Sequence, residues 1–223
     1  MITLHHVPQS RSMRVLWLLN ELQVDFQLVL RPFDKSLRQP DFLSLSPAGR
    51  VPALEIEGDR MFESGAMVEY LCETFPRAGL GRLPGEMGRM DWLVWVHFAE
   101  TISQHVAILT QQHIMLHEAW MRGPTVMRLE AARLGKCYAA IEAQLATPLE
   151  NRDHLLTSGF SACDICVGQA VYMARHFAPT DDFPQLRAWY DRITARPAFI
   201  AALPGPDDNL IYSRVFYTPP ADG

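Results

Sequence analysis

Four short stretches of the chain combine residue types that could do chemistry. Ser10-Arg11-Ser12-Met13-Arg14 offers two hydroxyls just ahead of the apolar run Val15-Leu16-Trp17-Leu18-Leu19. If a helix opens there, its first N–H groups and the positive end of its dipole face the same spot, and an anion is stabilised. Val51-Pro52 opens a strand-like run, where proline belongs only at an edge or a first position because it cannot donate to the ladder. With a cis bond there, Val51 would turn its own N–H and C=O outward for an extended peptide to pair with. Glu63-Ser64 sets a carboxylate beside a hydroxyl at a helix start. The carboxylate suits an ammonium, the hydroxyl and N–H groups suit a carboxylate, and an α-amino acid head group needs both. Ser161-Ala162-Cys163-Asp164 has the S-x-x-D spacing of a capping box, a feature of folding and not of catalysis.

Other motifs have a plainer reading. Cys163-x-x-Cys166 has no second cysteine pair and falls inside the helix that Ser161 opens, so both residues are expected as small buried apolar groups. His113 and His117 stand one helical turn apart, yet no third ligand completes the set, and no metal is expected. Gly79-x-Gly81-x-x-x-Gly85 is one residue too long for a dinucleotide loop and follows no strand. The G-x-S-x-G elbow of serine hydrolases is absent. His5 and His6 close the first strand candidate, where packing and edge exposure account for them, although His6 lies near the expected chemistry.

These residues need elements to position them. The first 75 residues change period repeatedly, and the rest keeps a helical period. Strands are expected over 2–6, 26–30, 51–56 and 60–62, the last two joined at Glu57-Gly58-Asp59 as a hairpin. Phe26, Leu28 and Leu30 alternate with their neighbours as strand residues should. Helices are expected from Ser12, over 41–45 and from Ser64, with Ser12 and Ser64 as caps. The order is βαβ, a helical turn, then ββα: an α+β domain with a mixed sheet over 1–78. A linker over 79–87 leads to an all-α helical bundle over 88–223, with helices at 87–117, 125–145, 161–177, 183–195 and 198–203. The last stretch, 204–223, is an irregular proline-rich tail whose apolar residues should pack on the body.

Composition narrows the function. The chain has 223 residues, 48% apolar and 20% charged, with a net charge of −5. That is an ordinary globular composition with no basic excess for a phosphate backbone or an anionic membrane. Nucleic acid and membrane are not expected as partners. No signal-like start and no apolar stretch of spanning length occurs. With four cysteines, the chain suits free thiols in a reducing, cytoplasmic compartment.

The ordered combination of Ser10 to Leu19, then Pro47-Ala48-Gly49-Arg50-Val51-Pro52-Ala53-Leu54, then Phe62-Glu63-Ser64 resembles the thioredoxin-like N-terminal domain of cytosolic glutathione transferases. Gly159-Phe160-Ser161-x-x-Asp164-Ile165 is similar to that family's N-capping box, and Tyr190 through Arg196-Pro197-x-Phe199 to its C-terminal helix pattern. The likeness spans about residues 1–203, and its active site looks like the serine type, with no Tyr before residue 70 and no Cys before Cys72. Catalysis through a protein cysteine in the first domain is therefore not expected.

The resemblance implies glutathione as co-substrate, no metal, and a small hydrophobic electrophile as its partner. Val51, before Pro52, would pair with the cysteinyl part; Glu63 and Ser64 would hold the γ-glutamyl end, and Arg50 the glycyl end. The catalytic hydroxyl would be Ser10, in the loop with its oxygen available, or Ser12, which is more simply the helix cap. His6, His113 and Trp120 are candidates for the electrophile's pocket, expected between the domains. A homodimer through residues 63–75 and the first long helix is implied, as is a possible peroxide reduction. The alternatives are an interaction protein that keeps the fold without the chemistry, and a glutathione-dependent isomerase or dehalogenase.

Overall fold

A computed structural model describes residues 1–147 and 153–219. The chain divides into two compact units. The first comprises Met1–Arg89 and Thr194–Ile211, the second Met90–Ile193 and Tyr212–Gly223. Residues 148–152 and the last four residues of the expected tail lie outside the described residues.

The first unit is built on a four-stranded sheet. Its strands are β1 (Ile2–His6), β2 (Phe26–Leu30), β3 (Ala53–Ile56) and β4 (Asp59–Phe62), in the spatial order β2-β1-β3-β4. β1 runs parallel to β2, with Leu4 opposite Leu28, and antiparallel to β3, with Leu4 opposite Leu54. The mixed sheet expected from the βαβ-ββα order is therefore present. Glu57 and Gly58 join β3 to β4 with φ of 53° and 97°, the doubly left-handed backbone of a type I′ hairpin turn, whose twist matches that of the strands. β2 differs from its expected half-buried alternation, because it is an edge strand: Leu28 is 39% and Leu30 54% exposed.

Helix α1 (Ser12–Leu22) crosses from β1 to β2, and every residue from Ser12 to Leu19 is buried. Trp17 packs edge-on against Phe199 of the short helix α8 (Pro197–Ile200), their ring centroids 4.8 Å apart. Beside them Arg196 grips Glu21 through two bonds of 2.6 and 2.7 Å, and Asn20 donates to the Ala198 carbonyl. Bidentate pairing of this kind is directional as well as strong. These contacts place the 194–211 segment with the first unit, whereas the sequence pattern assigns it to the helical half. Helix α2 (Pro40–Leu43) contributes Phe42 to a small core with Val7, Leu37 and Ala53, onto which Ile211 also packs. Helix α3 (Ser64–Thr74) buries Met67, Val68 and Leu71. The expected linker packs within this unit: at Gly81 a Cβ would lie 2.6 Å from the Cys72 Cβ, so only glycine fits.

The second unit is helical. Helix α4 (Arg89–Thr110) stops seven residues short of the expected His117, because the chain widens into a single π turn over Gln111–Met115. Helix α5 (Pro124–Leu145) opens on the proline that suits a first turn. All thirteen residues of α6 (Ala162–Ala174) are buried, as expected of a helix at the centre of a bundle. Cys163 and Cys166 are fully buried free thiols within it. Its capping box is formed: the Ser161 N–H donates to Asp164 Oδ2 at 2.9 Å. Asp164 Oδ1 further accepts from the Leu155 N–H at 3.0 Å and from Trp189 Nε1, on helix α7 (Pro184–Thr194), at 2.9 Å. Tyr212 and Tyr217 of the tail are buried, and Tyr217 packs tilted against Phe177 with its N–H bonded to the His176 carbonyl.

Candidate functional site

The end of β1 sets the site. Pro8 cannot donate to a ladder, so the strand closes at His6, and Gln9 turns the chain through a left-handed φ of 58°. Ser10 follows, its N–H bonded to the Val7 carbonyl, and α1 begins two residues later. Strand alternation sends His5 and His6 to opposite faces. His5 pairs with Glu55 at 3.0 Å and lies beside Arg31. His6 turns toward the serines.

Three side chains form a continuous polar chain there. His6 Nδ1 stands 2.7 Å from Ser12 Oγ, and Ser12 Oγ stands 2.7 Å from Ser10 Oγ. The Ser12 oxygen also accepts from the Val7 N–H at 3.2 Å and lies 3.3 Å from the Val7 carbonyl. Ser10 Oγ accepts from the Ser12 N–H at 3.2 Å. Burial pushes the His6 imidazole down to about 4, against a partial upward pull from Asp208, so the ring is neutral at pH 7.

Two expectations change here. Ser12 is not the cap of α1: that position is Arg11, which makes no side-chain capping bond, and Ser12 is the first helical residue. Its hydroxyl is drawn instead to His6 and Ser10. The Ser10 hydroxyl, expected loose in a loop, is engaged with Ser12. Ser12 is wholly buried and Ser10 is 9% exposed, so Ser10 is the outer member of the pair.

The other segments arrive by register. His5 is opposite Ala53, and Ala53 is opposite Phe62. The residues next in line on each strand, His6, Pro52 and Glu63, therefore sit at one end of the sheet. The Val51–Pro52 bond is cis, as the sequence reading requires, with Val51 half-buried and Pro52 buried. Glu63 occupies the cap position of α3 with φ 77° and ψ 104° and is exposed. A non-glycine residue held at such a φ costs about 1–3 kcal/mol, a cost concentrated in proteins at ligand-binding positions. Ser64 is thus the first residue of α3 and not its cap. Its oxygen faces Arg14 Nη1 at 3.4 Å. Arg14 is fully buried and ties the start of α1 to the start of α3, a role its place in an apolar run does not reveal. Arg50 is exposed, its N–H 3.4 Å from Ser46 Oγ.

The remaining candidates lie in the second unit or play another part. His6 belongs to the serine chain. His113 packs in the π turn against Phe177 and Tyr217, its Nε2 buried with no hydrogen-bond partner among the described residues. Burial holds its pKa below the usual histidine value, as do Arg122 and Arg214. Trp120 is 80% exposed. Among the described residues no group of three His, Cys, Asp or Glu side chains is placed to hold a metal, and no helix is long and apolar enough to cross a membrane.

Comparison with known proteins identifies the family. Residues 4–79 match the family description "Glutathione S-transferase, N-terminal domain", and residues 128–197 match "Glutathione S-transferase, C-terminal domain". The chain is 31% identical over 222 residues to glutathione S-transferase 3 of Zea mays, covering 92% of this chain and 96% of that protein. A sphingomonad glutathione S-transferase, solved in complex with glutathione, superposes with a TM-score of 0.75 at 26% identity, over 90% of this chain and 96% of that one. A Phanerochaete chrysosporium glutathione transferase with oxidized glutathione shares the fold at a TM-score of 0.80 and 23% identity, over 90% of this chain and 92% of that one. With both domain descriptions matched in order and a relative alike over nearly its whole length, the chain belongs to the glutathione S-transferase family.

Proposed function

We propose that this protein is a glutathione transferase of the serine type, which makes the glutathione thiolate available at neutral pH for attack on a small apolar electrophile. The observation that carries this reading is the alignment at one sheet end of a hydroxyl pair at a helix start, a cis-proline edge and an exposed carboxylate held at positive φ. Glutathione supplies the matching groups: a thiol, a peptide able to pair with the Val51 backbone, and a γ-glutamyl head with both ammonium and carboxylate. Glu63 takes the ammonium, Ser64 and the first N–H groups of α3 the carboxylate, and Arg50 the glycyl carboxylate.

The energetics fit. Moving a thiol from a pKa of about 8.5 to about 6.5 requires about 2.7 kcal/mol of preference for the thiolate. A hydrogen bond to a charged group supplies about 1.5–3 kcal/mol, and a helix N-terminus about 0.3–1 kcal/mol. Ser10 and the start of α1 are enough. The thiol proton leaves to solvent, a carbon–sulfur bond forms as the sulfur pair attacks, and the leaving group departs with the bonding pair. Activation and proximity are the protein's contribution. Reduction of a peroxide by the same thiolate is a further reaction this site would permit. A homodimer and a cytoplasmic location belong to the same reading, the latter supported by four buried free cysteines.

The test is retention on immobilised glutathione followed by ultraviolet titration of the bound thiolate. The reading expects retention and a bound-thiol pKa about two units below that of free glutathione. Absence of either would return the chain to the class of interaction proteins that keep this fold without its chemistry.

A further inference from the structure

A hydroxyl has one proton to give and two lone pairs to receive with. Ser12 has four polar neighbours, and the Val7 N–H fills one of its acceptor positions. The two shortest contacts, to His6 Nδ1 and Ser10 Oγ at 2.7 Å each, therefore cannot both accept its proton. Two proton orders make both short contacts hydrogen bonds, and in each the Val7 carbonyl, farthest of the four at 3.3 Å, receives no proton from Ser12. If His6 Nδ1 is bare, Ser12 donates to it and Ser10 donates to Ser12. If Nδ1 carries the ring's proton, it donates to Ser12, Ser12 donates to Ser10, and the Ser10 proton turns away from Ser12. Only the second order points an O–H at an anion outside Ser10; the first directs that proton inward.

We propose that His6 is a positioning residue for catalysis: by donating from Nδ1 to Ser12 it sets the direction of both hydroxyls, so that Ser10 gives its proton in a hydrogen bond to the thiolate of glutathione. This rests on the glutathione reading of the same site. His6 touches neither glutathione nor the electrophile in this scheme and acts only through Ser12. It stays neutral throughout: the ring keeps its single proton on Nδ1, and no net charge moves. Its burial, with Asp208 as the charge that acts on it, agrees with a ring that carries one proton and not two. Strand register reinforces the assignment, since His6 is fixed by the ladder to β2, opposite Leu30, and its backbone carbonyl accepts from the Arg31 N–H at 2.8 Å.

The experiment is a double-mutant cycle read by the pKa of glutathione's thiol bound to the full-length protein. His6→Leu and Ser12→Ala should each raise that pKa by about one unit, a tenfold loss of thiolate at a fixed pH below it, and lower kcat accordingly. The KM for glutathione should change far less, because the γ-glutamyl contacts are elsewhere. The His6→Leu/Ser12→Ala double variant should be no worse than either single one, since two groups acting in series are not additive. His6→Asn places an amide where Nδ1 stood and should recover most of the shift. A wild-type thiol that titrates like free glutathione overturns the function itself and this inference with it. A shifted wild type with an unshifted His6→Leu, or an additive double variant, overturns the role of His6 alone. Should His6→Leu fail to fold, Ser12→Ala decides: an unchanged thiol pKa with Ser10 intact breaks the chain of donors.

Discussion

Two of the helices that open on serines, α1 and α6, use them oppositely. At the start of α6 the capping box is complete, and Asp164 takes two more donors from Leu155 and Trp189. At the start of α1 the cap residue is Arg11, with no side-chain capping bond, and the hydroxyls of Ser10 and Ser12 bond to each other, that of Ser12 also meeting His6. A helix start whose donors are met internally stabilises the fold. One whose hydroxyls are held in a chain of their own, beside the positive end of the dipole, suits the anion that the proposed function brings there. The first arrangement lowers free energy locally, a cap being worth about 0.5–2 kcal/mol; at the second, Ser10 Oγ accepts the Ser12 N–H at 3.2 Å while it also meets the Ser12 hydroxyl.

If that contrast is right, the largest effect belongs to the closed start. Asp164→Ala removes an acceptor that serves three buried donors, and each donor left without a partner costs about 1–3 kcal/mol. Destabilisation of about 4 kcal/mol or more is expected in chemical denaturation, with the bound-thiol pKa unchanged in the protein that remains folded. A thiol pKa that moves in this variant would join the two starts and end the comparison.

The next effect is a pH dependence peculiar to the open start. Folding lowers the His6 pKa from 6.5 to about 4, so the unfolded chain binds the extra proton more readily. The stabilising consequence is fully present above pH 6.5 and is lost as pH falls toward about 4, by about 3 kcal/mol in all. His113 and His176 are lowered in the same direction by burial, so the slope must be taken as a difference. Wild type should lose more stability than His6→Asn across that window. Equal losses in the two proteins would place His6 in a wetter site than its burial indicates.

Smaller, and confined to rate, is the loss of the outer hydroxyl. Ser10→Ala should lower kcat about a hundredfold, equivalent to about 2.7 kcal/mol, and raise the bound-thiol pKa while glutathione affinity falls much less. The matched change at the closed start, Ser161→Ala, should cost about 1 kcal/mol of stability and leave the rate unchanged. A Ser10→Ala enzyme with full turnover would transfer the role to Ser12 or to the backbone of the turn.

How much of this was legible in the sequence follows from the range of each interaction. The Glu57-Gly58 hairpin and the Ser161/Asp164 box are contacts among near neighbours, so residue type and spacing reveal them. The apolar run of α1 likewise declares its helix. Its cap does not, because Ser10 and Ser12 have the same chemistry, and only the approach of His6 decides where the Ser12 hydroxyl turns. Arg14 is buried against Ser64, a contact across 50 residues that local spacing does not reveal. The stop of α4 at Thr110 follows from one π turn, for which helical periodicity has no signature. The same limit hid the affiliation of 194–211, which depends on Arg196 meeting Glu21 across 175 residues.

The smallest expected effect sharpens the comparison by adding a third helix start. α3 is also open: Glu63 holds its cap position at φ 77° and its side chain makes no capping bond. By the same logic its donors and carboxylate are left for a ligand, here the charged head of glutathione and not its sulfur. Glu63→Gln keeps the size and removes the charge that faces the ammonium. The KM for glutathione should rise about tenfold, about 1.4 kcal/mol, with a much smaller fall in kcat. The bound-thiol pKa should stay near the wild-type value, since the α1 hydroxyls are intact. A split of that form would assign binding to the start of α3 and activation to the start of α1. Equal falls in kcat and kcat/KM would instead make Glu63 part of the activation step, and the division between the two open starts would have to be redrawn.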